Sequence, residues 1–514
     1  MAKTNKVLFI GLDAAEPSLI EKWMAEGLLP NIKQLREQGV YSLIGSPDDH
    51  LVGLAWPTFY TGVNPGNHGV HHYLQWNPEK MCSERVNQLW LPLNPFWRNF
   101  RDEDPRAIVI DVPLTPSIKE FHGIEMSGWA THEVLVPLNA YPKEILKWVE
   151  KNIGTSPWFE ERYGKFTVKE LLQVRDKLND MTQKVTLLTK SLMSRESWDL
   201  LMIVYSATHR GGHKLWDLKD ITSDLYDDEK QIVSQSLKEV YMACDNAIGE
   251  LVSEISYNVT VLLCSLHGMG VNHSRTEILP EMLEKIIQHE TDQPASQRPK
   301  TLGRIRNLIP SLIRHAIKSR VPHRLKDALT SFWRMGGIDW SRSPAICLLG
   351  DYDGYLRINL KGRESQGIVN AGQEFDDWMN KVSMGLQSFI DADSGEPIVK
   401  AVLRREDLKL SGNYLCHLPD LIVQWRETPS SQHREITSPL YGSIPWPTSG
   451  RNPEGRTGNH RPQGFLIAKG DRFAPSSSLG PVEIIDLAPT ILDILGLPVS
   501  SKMEGTIIHR QNCC

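Results

Sequence analysis

The segment KVLFIGLD, residues 6–13, is a continuous apolar run that ends in a glycine and an aspartate. Such a run is typical of a parallel β-strand that is buried on both faces and that delivers its last residue, Asp13, to the edge of a sheet. Similar runs occur in WDLLMIVYSATH (198–209) and NVTVLLCSLHG (258–268), each after a segment with helical periodicity. This alternation predicts an α/β protein with a mostly parallel central sheet between layers of helices.

Metal-binding or nucleophilic residue types follow the predicted strands at five places far apart in the chain. They are Asp13, Thr58 in AWPTFYTG, His209 and His213 in HRGGH, His267 in SLHGMG, and His460 in RTGNH. The loops at the carboxyl ends of the strands of an open α/β sheet meet at one edge, so we expect these residues to converge. A carboxylate, four imidazoles and a hydroxyl together indicate a metal-assisted hydrolase with a hydroxyl nucleophile.

Each of these residues also has an ordinary structural interpretation. Thr58 is a common residue type at a helix N-cap, and Asp13 is a common residue type in a turn after a strand. His209 and His213 can chelate one metal, although Gly211 and Gly212 between them favour a loop over a helix. The Pro- and Gly-rich surroundings of His460 predict that it lies in a long loop.

The motifs are interleaved along the chain, which argues against independent domains in series. We predict a catalytic core formed by residues 1–279 and 435–514, with residues 280–434 as an inserted cap. The region 280–345 is rich in Lys and Arg and has helical periodicity. Its basic face is most simply a solvated surface, with contact to an anionic substrate or a membrane surface as the alternative. The segment 345–369 predicts β-structure around a DG turn.

Composition excludes several classes of function. The formal net charge is -5, so we expect no nucleic acid polymer as a partner. Seven scattered cysteines without a CxxC pair indicate reduced thiols, and with them a cytoplasmic protein. No stretch reaches the ~20 apolar residues of a transmembrane segment. The sequence leaves the oligomeric state open.

An ordered set of motifs along the chain resembles the alkaline phosphatase superfamily, in its branch of type I phosphodiesterases and nucleotide pyrophosphatases. The motifs are VLFIGLD, TGVNPGNHGV, HGMG, YLRINLKGRESQGIV, DLAPTILDILGLPV and MEGTII. The resemblance implies a central mixed sheet flanked by helices and two metal sites, usually zinc. It also implies a small-molecule phosphoryl-ester substrate, in-line attack by Thr or Ser on phosphorus, and a covalent phospho-enzyme.

The resemblance also assigns roles to residues of this chain. Thr58 would be the nucleophile, and Asn67 would contact the substrate, with His68 as a weaker candidate. The first metal would be held by Asp13, Thr58 and His267. The second would be held by His213, His460 and the residue at position 209.

Two positions depart from the family pattern, and both replace an aspartate. His209 stands where the family usually has Asp, and Leu266 stands where the family motif S-D-H-G has its Asp. The change at Leu266 depletes the first site of a carboxylate ligand. The change at His209 creates a three-imidazole site that could hold one ion, with zinc expected and iron or manganese possible.

The sequence therefore predicts a metal-dependent hydrolase of a phosphodiester or related phosphoryl ester, with Thr58 as nucleophile and a non-standard metal site. One alternative keeps the fold but uses a mononuclear three-His site for a different hydrolysis, elimination or transfer. The other alternative is a binding protein that has lost catalysis.

Overall fold

The computed structural model describes most of the chain. The described residues are 5–47, 49–51, 55–86, 90–91, 93–101, 103–116, 120–131, 138–160, 166–218, 227–292, 339–428, 433–446, 455–473, 475 and 478–511. Residues 293–338, the greater part of the predicted basic arm, lie outside them.

The strands are numbered in chain order. They are β1 (Lys6–Leu12), β2 (Val40–Gly45), β3 (Leu74–Asn77), β4 (Cys82–Arg85), β5 (Ala107–Ile110), β6 (Gly123–Ser127), β7 (Asn139–Tyr141), β8 (Leu200–Tyr205), β9 (Val259–Ser265), β10 (Gly268–Val271), β11 (Ala345–Leu348), β12 (Gly354–Ile358), β13 (Ile390–Asp391), β14 (Val399–Arg404), β15 (Leu421–Trp425), β16 (Glu435–Ser438), β17 (Gly442–Pro445), β18 (Gly458–Arg461), β19 (Gly464–Lys469), β20 (Ser478–Leu479), β21 (Val482–Glu483) and β22 (Arg510–Gln511).

The α-helices are numbered in the same way. They are α1 (Pro17–Ala25), α2 (Pro30–Glu37), α3 (Ala55–Thr61), α4 (Pro65–His68), α5 (Glu144–Asn152), α6 (Val168–Arg195), α7 (Ala207–Leu215), α8 (Asp227–Ser253), α9 (Leu279–Thr291), α10 (Gln373–Gln387) and α11 (Leu487–Ile494). Short 3-10 helices occur at Phe96–Asn99, Trp340–Arg342, Arg405–Asp407, Leu415–His417 and Ile484–Asp486.

A nine-stranded sheet forms the centre of the protein, in the order β21-β2-β19-β9-β1-β8-β5-β6-β7. Its strands are parallel except for β19, which is antiparallel to both β2 and β9, and the edge strand β7. The mostly parallel sheet that the sequence predicts is therefore confirmed. β1 lies between β8 and β9, so the three strands that precede Asp13, His209 and His267 are neighbours.

Both faces of the sheet are covered by apolar side chains because successive residues of a strand point to opposite faces. Leu8 and Ile10 of β1 belong to a buried cluster that also contains residues of α1, α2, α6 and α8. Val7 and Phe9 belong to a second cluster with residues of α3 and α11. The Phe9 ring stacks on Phe59 of α3 at 4.9 Å. Burial on two faces explains why β1 is an unbroken apolar run.

A smaller antiparallel sheet, in the order β11-β12-β15-β14, lies within the region that we predict to be an insertion. It packs with α9 and α10 around a separate apolar cluster that includes Met282, Leu356 and Val382. β11 and β12 pair as an antiparallel hairpin, as the sequence of residues 345–369 suggests. Among the described residues, no helix is both long and apolar enough to cross a membrane. The five described cysteines are free thiols.

The helical segment after β1 is divided into α1 and α2, because Gly27 adopts a φ of 75° and Pro30 starts a new helix. Two local predictions are wrong, and both concern the histidines. HRGGH lies in helix α7 rather than in a loop. His460 lies in strand β18, which pairs with β10, rather than in a loop.

Tertiary packing explains the two corrections that concern the histidines. A Cβ atom added to Gly212 would lie 2.8 Å from the Cγ of Met269 in β10, so close helix-to-strand packing requires a glycine there. The carbonyl oxygen of His213 accepts a hydrogen bond from the backbone N–H of Thr457 at 2.8 Å, which joins α7 to the segment before β18. These contacts offset the low intrinsic helix propensity of two consecutive glycines.

A buried carboxylate at the end of β5 gives the fold a testable pH dependence. Asp111 accepts backbone hydrogen bonds from Trp129 at 2.8 Å and from Ala130 at 2.7 Å. Burial, the largest influence, raises the pKa of Asp111 to about 7, although these hydrogen bonds act in the opposite direction. Because the folded-state pKa lies above the ordinary value, the folded state binds the proton more tightly than the unfolded chain.

We expect the stabilisation from protonated Asp111 to be complete below about pH 4 and to be lost as the pH rises through about 7. The free energy of unfolding of the native protein minus that of Asp111→Asn should therefore decrease across this window and level off above it. Urea unfolding at several pH values from 4.5 to 8.5 measures the difference, with the exposed Asp393→Asn as control. A difference that does not change with pH would contradict the prediction.

Candidate metal centre

Three buried histidines point the same ring nitrogen at one another. The Nε2 atom of His209 lies 2.9 Å from Nε2 of His213 and 2.9 Å from Nε2 of His460. One ligand atom from each of the three residues lies within 4.8 Å of the other two. His209 and His213 are four residues apart on α7, so they share a face of the helix. The structure therefore brings together the three imidazoles that the sequence predicts as one metal site.

His460 reaches this site because of the direction of β19. That strand is antiparallel to β9, so its first residue lies at the edge where the parallel strands end. Only Pro462 and Gln463 separate β18 from β19, and β18 is thereby held at the same edge. The backbone N–H of His460 also donates to the side-chain oxygen of Asn459 at 2.9 Å.

The hydrogen bonds of the outer ring nitrogens test whether these histidines suit a metal ion. Nδ1 of His213 faces the carbonyl oxygen of Gly458 at 2.9 Å, and Nδ1 of His209 faces Asp13 at 2.6 Å. Both partners are acceptors, which assigns the proton of each neutral ring to Nδ1 and leaves a lone pair on Nε2. When both rings are neutral, as metal ligation requires, the 2.9 Å contact between Nε2 of His209 and Nε2 of His213 joins two lone pairs. A cation between them removes that repulsion, so the residues fit a metal ion.

Asp13 contacts His209 and a residue that the sequence analysis missed. Its Oδ2 atom lies 2.6 Å from Nδ1 of His209, and its Oδ1 atom accepts a hydrogen bond of 2.9 Å from Nε1 of Trp56. Asp13 and Trp56 are both buried. Burial would raise the pKa of Asp13, but the attraction and hydrogen bond of His209 outweigh it, so the pKa lies below its ordinary range. Asp13 is therefore a carboxylate at neutral pH.

His267 lies beside the three-histidine group, next to His460 and Asp13. Its ring centroid is 4.8 Å from that of His460, and its Nε2 atom is 3.7 Å from Oδ1 of Asp13. Nδ1 faces the carbonyl oxygen of Gly268 at 3.4 Å, which assigns the ring proton to Nδ1 and leaves Nε2 as an acceptor. Burial lowers the pKa of His267 to about 4, so this ring is neutral at pH 7.

His460 is also neutral at pH 7, as metal ligation requires. Burial is the main cause that lowers the pKa of His460 well below its ordinary value, and the neighbouring imidazoles of His267 and His209 add to it. Among the described residues, Nδ1 of His460 has no hydrogen-bond partner.

Thr58 lies in helix α3, where it contacts a different histidine. Its Oγ1 atom is 3.0 Å from Nε2 of His68, and both side chains are buried. Nδ1 of His68 accepts a hydrogen bond from the backbone N–H of Val70 at 3.2 Å, which assigns the proton of the neutral ring to Nε2. Burial lowers the pKa of His68 to about 3, so the ring is neutral and donates to the Thr58 hydroxyl.

Thr58 and Asp13 have different hydrogen-bond partners. Trp56, two residues before Thr58 on α3, donates to Asp13 at 2.9 Å, whereas the hydroxyl of Thr58 contacts His68. The ligand set Asp13, Thr58 and His267 that the resemblance implies stays a prediction.

Asn67 is held by a residue from the end of the chain. Its side-chain amide donates to Glu504, which also accepts from the side chain of Asn64 at 2.6 Å. The predicted contact between Asn67 and the substrate stays a prediction. Glu504 belongs to the MEGTII motif, so the structure explains that motif as an anchor for the loop between α3 and α4.

A polar group at the rim of the site was also missed by the sequence analysis. Asp351 lies 3.4 Å from Nε2 of His72 and 3.3 Å from Nη1 of Arg456. Its carbonyl oxygen accepts a 2.7 Å hydrogen bond from Asn459, the neighbour of His460. Asp351 lies two residues before the Asp353-Gly354 turn and carries no motif, so only the folded structure places it here.

The chain is similar to known proteins in both sequence and structure. The sequence profile of a family described as "Type I phosphodiesterase / nucleotide pyrophosphatase" matches residues 7–426. Two structures of phosphonoacetate hydrolase from Sinorhizobium meliloti 1021, in complex with phosphonoformate and with phosphonoacetate, are 13% and 12% identical to the chain, with TM-scores of 0.53 and 0.54. Each alignment covers 96% of both chains. No curated protein matches the chain by sequence.

Proposed function

We propose, since the chain belongs to the type I phosphodiesterase/nucleotide pyrophosphatase family, that it is a metal-dependent hydrolase of a small-molecule phosphoryl ester. The proposed site is the group formed by His209, His213 and His460. We further propose one tightly held divalent ion per chain, with zinc as the first expectation and iron or manganese as alternatives. The superfamily and the α/β fold agree with those that the sequence analysis identified.

The observation that carries the proposal is the convergence of the three buried Nε2 atoms at one point. Between neutral rings, a cation at this point removes the repulsion between the facing lone pairs of His209 and His213 and gives all three nitrogens one common partner. In the opposing interpretation, a packed core of histidines, a proton on one Nε2 atom of each facing pair would be donated to the other.

When bound, a divalent ion would polarise a phosphoryl oxygen and activate a water molecule. The chain itself supplies the surroundings. Asp13 and Gly458 hold the proton of His209 and His213 on Nδ1. His267 presents an unprotonated Nε2 atom beside the site, where it can accept a proton from a water molecule that attacks phosphorus. The buried walls exclude bulk water and strengthen these interactions.

The attacking group separates two versions of this mechanism. The sequence predicts Thr58, which would form a covalent intermediate. We favour water, because the hydroxyl of Thr58 accepts a hydrogen bond from the neutral ring of His68. An imidazole that donates its proton to a hydroxyl is not the base that takes the proton of that hydroxyl.

Substitution of Thr58 tests this choice. We expect Thr58→Val, which keeps the shape and removes the hydroxyl, to retain turnover of bis-p-nitrophenyl phosphate within about 10-fold of the native metal-loaded protein. Attack by water does not use this hydroxyl, whereas loss of a group that takes part in the reaction typically costs about 100-fold or more. Thr61→Val, in the same helix, is the matched control. A loss above about 1000-fold in Thr58→Val alone, or a phosphoryl group trapped on Thr58, would support the threonine nucleophile instead.

The activity itself is tested with metal-loaded protein and a panel of p-nitrophenyl phosphodiesters and monoesters. The expected result is metal-dependent release of p-nitrophenolate, faster with one class of ester than with the other. Full metal occupancy without turnover of any ester would contradict a phosphoryl-ester hydrolase. It would favour the alternatives from the sequence, a three-His metalloenzyme with another reaction or a binding protein.

We propose that the predicted insertion, residues 280–434, contributes to substrate selection at a core formed by residues 1–279 and 435–514. Support comes from Asp351, which lies in the insertion and contacts His72 and Arg456 of the core. Asp351 is thereby attached to the neighbour of His460. A cytoplasmic location rests on the cysteine pattern and stays a prediction.

A further inference from the structure

We propose that Asp13 does not bind a metal ion in this protein but is the positioning residue that holds His209 with Nε2 directed at the ion. The proposal rests on the three-histidine metal site of the proposed function, and it deepens that site. It also departs from the role of metal ligand that the family resemblance implies for Asp13.

The first observation is that both oxygens of the carboxylate are engaged. Oδ2 accepts from Nδ1 of His209 at 2.6 Å, and Oδ1 accepts from Nε1 of Trp56 at 2.9 Å. All three side chains are buried, and the Trp56 ring packs edge-on against Phe59. A short charge-assisted bond in a buried environment is strong, so ligation of a metal by Oδ2 would require the loss of a favourable contact.

The second observation is that the backbone of Asp13 is fixed to the end of β8 and the start of α7, the helix that carries His209. Its N–H donates to the carbonyl oxygen of Tyr205 at 3.0 Å, and its carbonyl oxygen accepts from the hydroxyl of Thr208 at 2.6 Å. Asp13 is therefore joined to residues 205–209 by two backbone contacts and one side-chain contact. The backbone of Asp13 is thereby held beside His209, and a rotation of the carboxylate away from the ring would break the 2.6 Å contact.

The third observation is the direction of the imidazole. Nδ1 of His209 points to Asp13, whereas Nε2 points to His213 and His460. With its proton held on Nδ1, the ring offers Nε2 only as a lone pair. A carboxylate that orients a metal-binding histidine in this way raises the basicity of the ring, and its loss typically lowers metal affinity 10–100-fold.

Metal binding by Asp13→Asn tests the proposal without any substrate. The metal-free proteins are loaded with Zn²⁺ and, separately, with Co²⁺, and affinity is measured by competition with a chromophoric chelator. We expect one ion per chain in both proteins, an affinity about 10–100-fold lower in Asp13→Asn, and Co²⁺ absorption bands at the same positions and intensities. Unchanged bands mean that the ligands of the ion are the same.

Three results would overturn the proposal: two ions bound tightly per native chain, Co²⁺ bands in Asp13→Asn that indicate a changed ligand set, or an unchanged affinity. Trp56→Phe, which removes the second hydrogen bond to Asp13, provides an independent variant if Asp13→Asn does not fold. We expect it to weaken metal binding with unchanged Co²⁺ bands, and equal affinity would count against positioning by Asp13.

These results are separable from those of the proposed function. If the native protein binds one ion and hydrolyses no ester, and Asp13→Asn lowers the metal affinity, the positioning role is supported and the hydrolase is contradicted. If the native protein hydrolyses esters and Asp13→Asn binds metal with native affinity, the hydrolase is supported and the positioning role is contradicted. Failure of the native protein to bind any divalent ion would overturn both.

Discussion

His213→Ala is expected to lower the affinity for a divalent ion by more than 100-fold and to abolish metal-dependent turnover. Loss of an outer partner of a metal-binding histidine already costs 10–100-fold, so the loss of a ligand itself should cost more. His213 is buried, and its Nε2 atom lies 2.9 Å from that of His209. The variant leaves two imidazoles, which hold a divalent ion far less tightly than three.

Chelator competition and metal analysis after dialysis measure this effect directly. The matched control is His289→Ala, which removes a histidine from the exposed end of helix α9. We expect the control variant to bind the divalent ion and to hydrolyse the ester as the native protein does. Full metal occupancy in His213→Ala would contradict the three-histidine site, and the ion would then have to be placed elsewhere.

Leu266→Asp is expected to reduce the free energy of unfolding of the metal-free protein by about 3–5 kcal/mol at pH 7.5, as for other severe core substitutions. Leu266 is buried and belongs to the apolar cluster on the face of the sheet covered by α3, together with Phe9 and Trp56. The introduced carboxylate would lose its hydration there, and the apolar contacts of the leucine would also be lost. The substitution would restore the residue type of the family motif but would place it in an environment that this chain has made apolar.

Urea unfolding of the metal-free proteins measures the effect, and Leu266→Met is the matched control because it preserves volume and polarity. We expect the methionine variant to lie within about 1.5 kcal/mol of the native protein. If Leu266→Asp were as stable as Leu266→Met, position 266 would have polar partners, and the depletion of the first metal site would need another explanation.

The fold could be predicted because its signals are local and repeated. The apolar runs of β1, β8 and β9 are long enough to identify buried parallel strands without any knowledge of their neighbours. The edge of the sheet where Asp13, His209 and His267 lie follows from the direction of these strands alone. The strand pattern predicted only that these residues converge with His460, and the family resemblance supplied the grouping of His209, His213 and His460 as one site.

Local conformation around the histidines could not be predicted from the sequence. Two glycines in HRGGH favour a loop by propensity, yet the chain is helical there because Gly212 packs against Met269. His460 is in a strand because β18 pairs with β10, a contact between residues about 190 positions apart. Neither packing partner can be identified from a neighbouring residue.

The sequence alone determined the class of fold, the chemical type of the site and the two positions at which it departs from its family. Only the tertiary structure decided what Asp13 and Thr58 contact. A carboxylate or a hydroxyl at the end of a strand or in a helix has the same sequence signal whether it binds a metal or a neighbouring side chain. The outcome depends on orientation: Trp56 and His209 engage Asp13, and His68 engages Thr58. Side-chain direction is set by the packing of whole elements, which no short motif encodes.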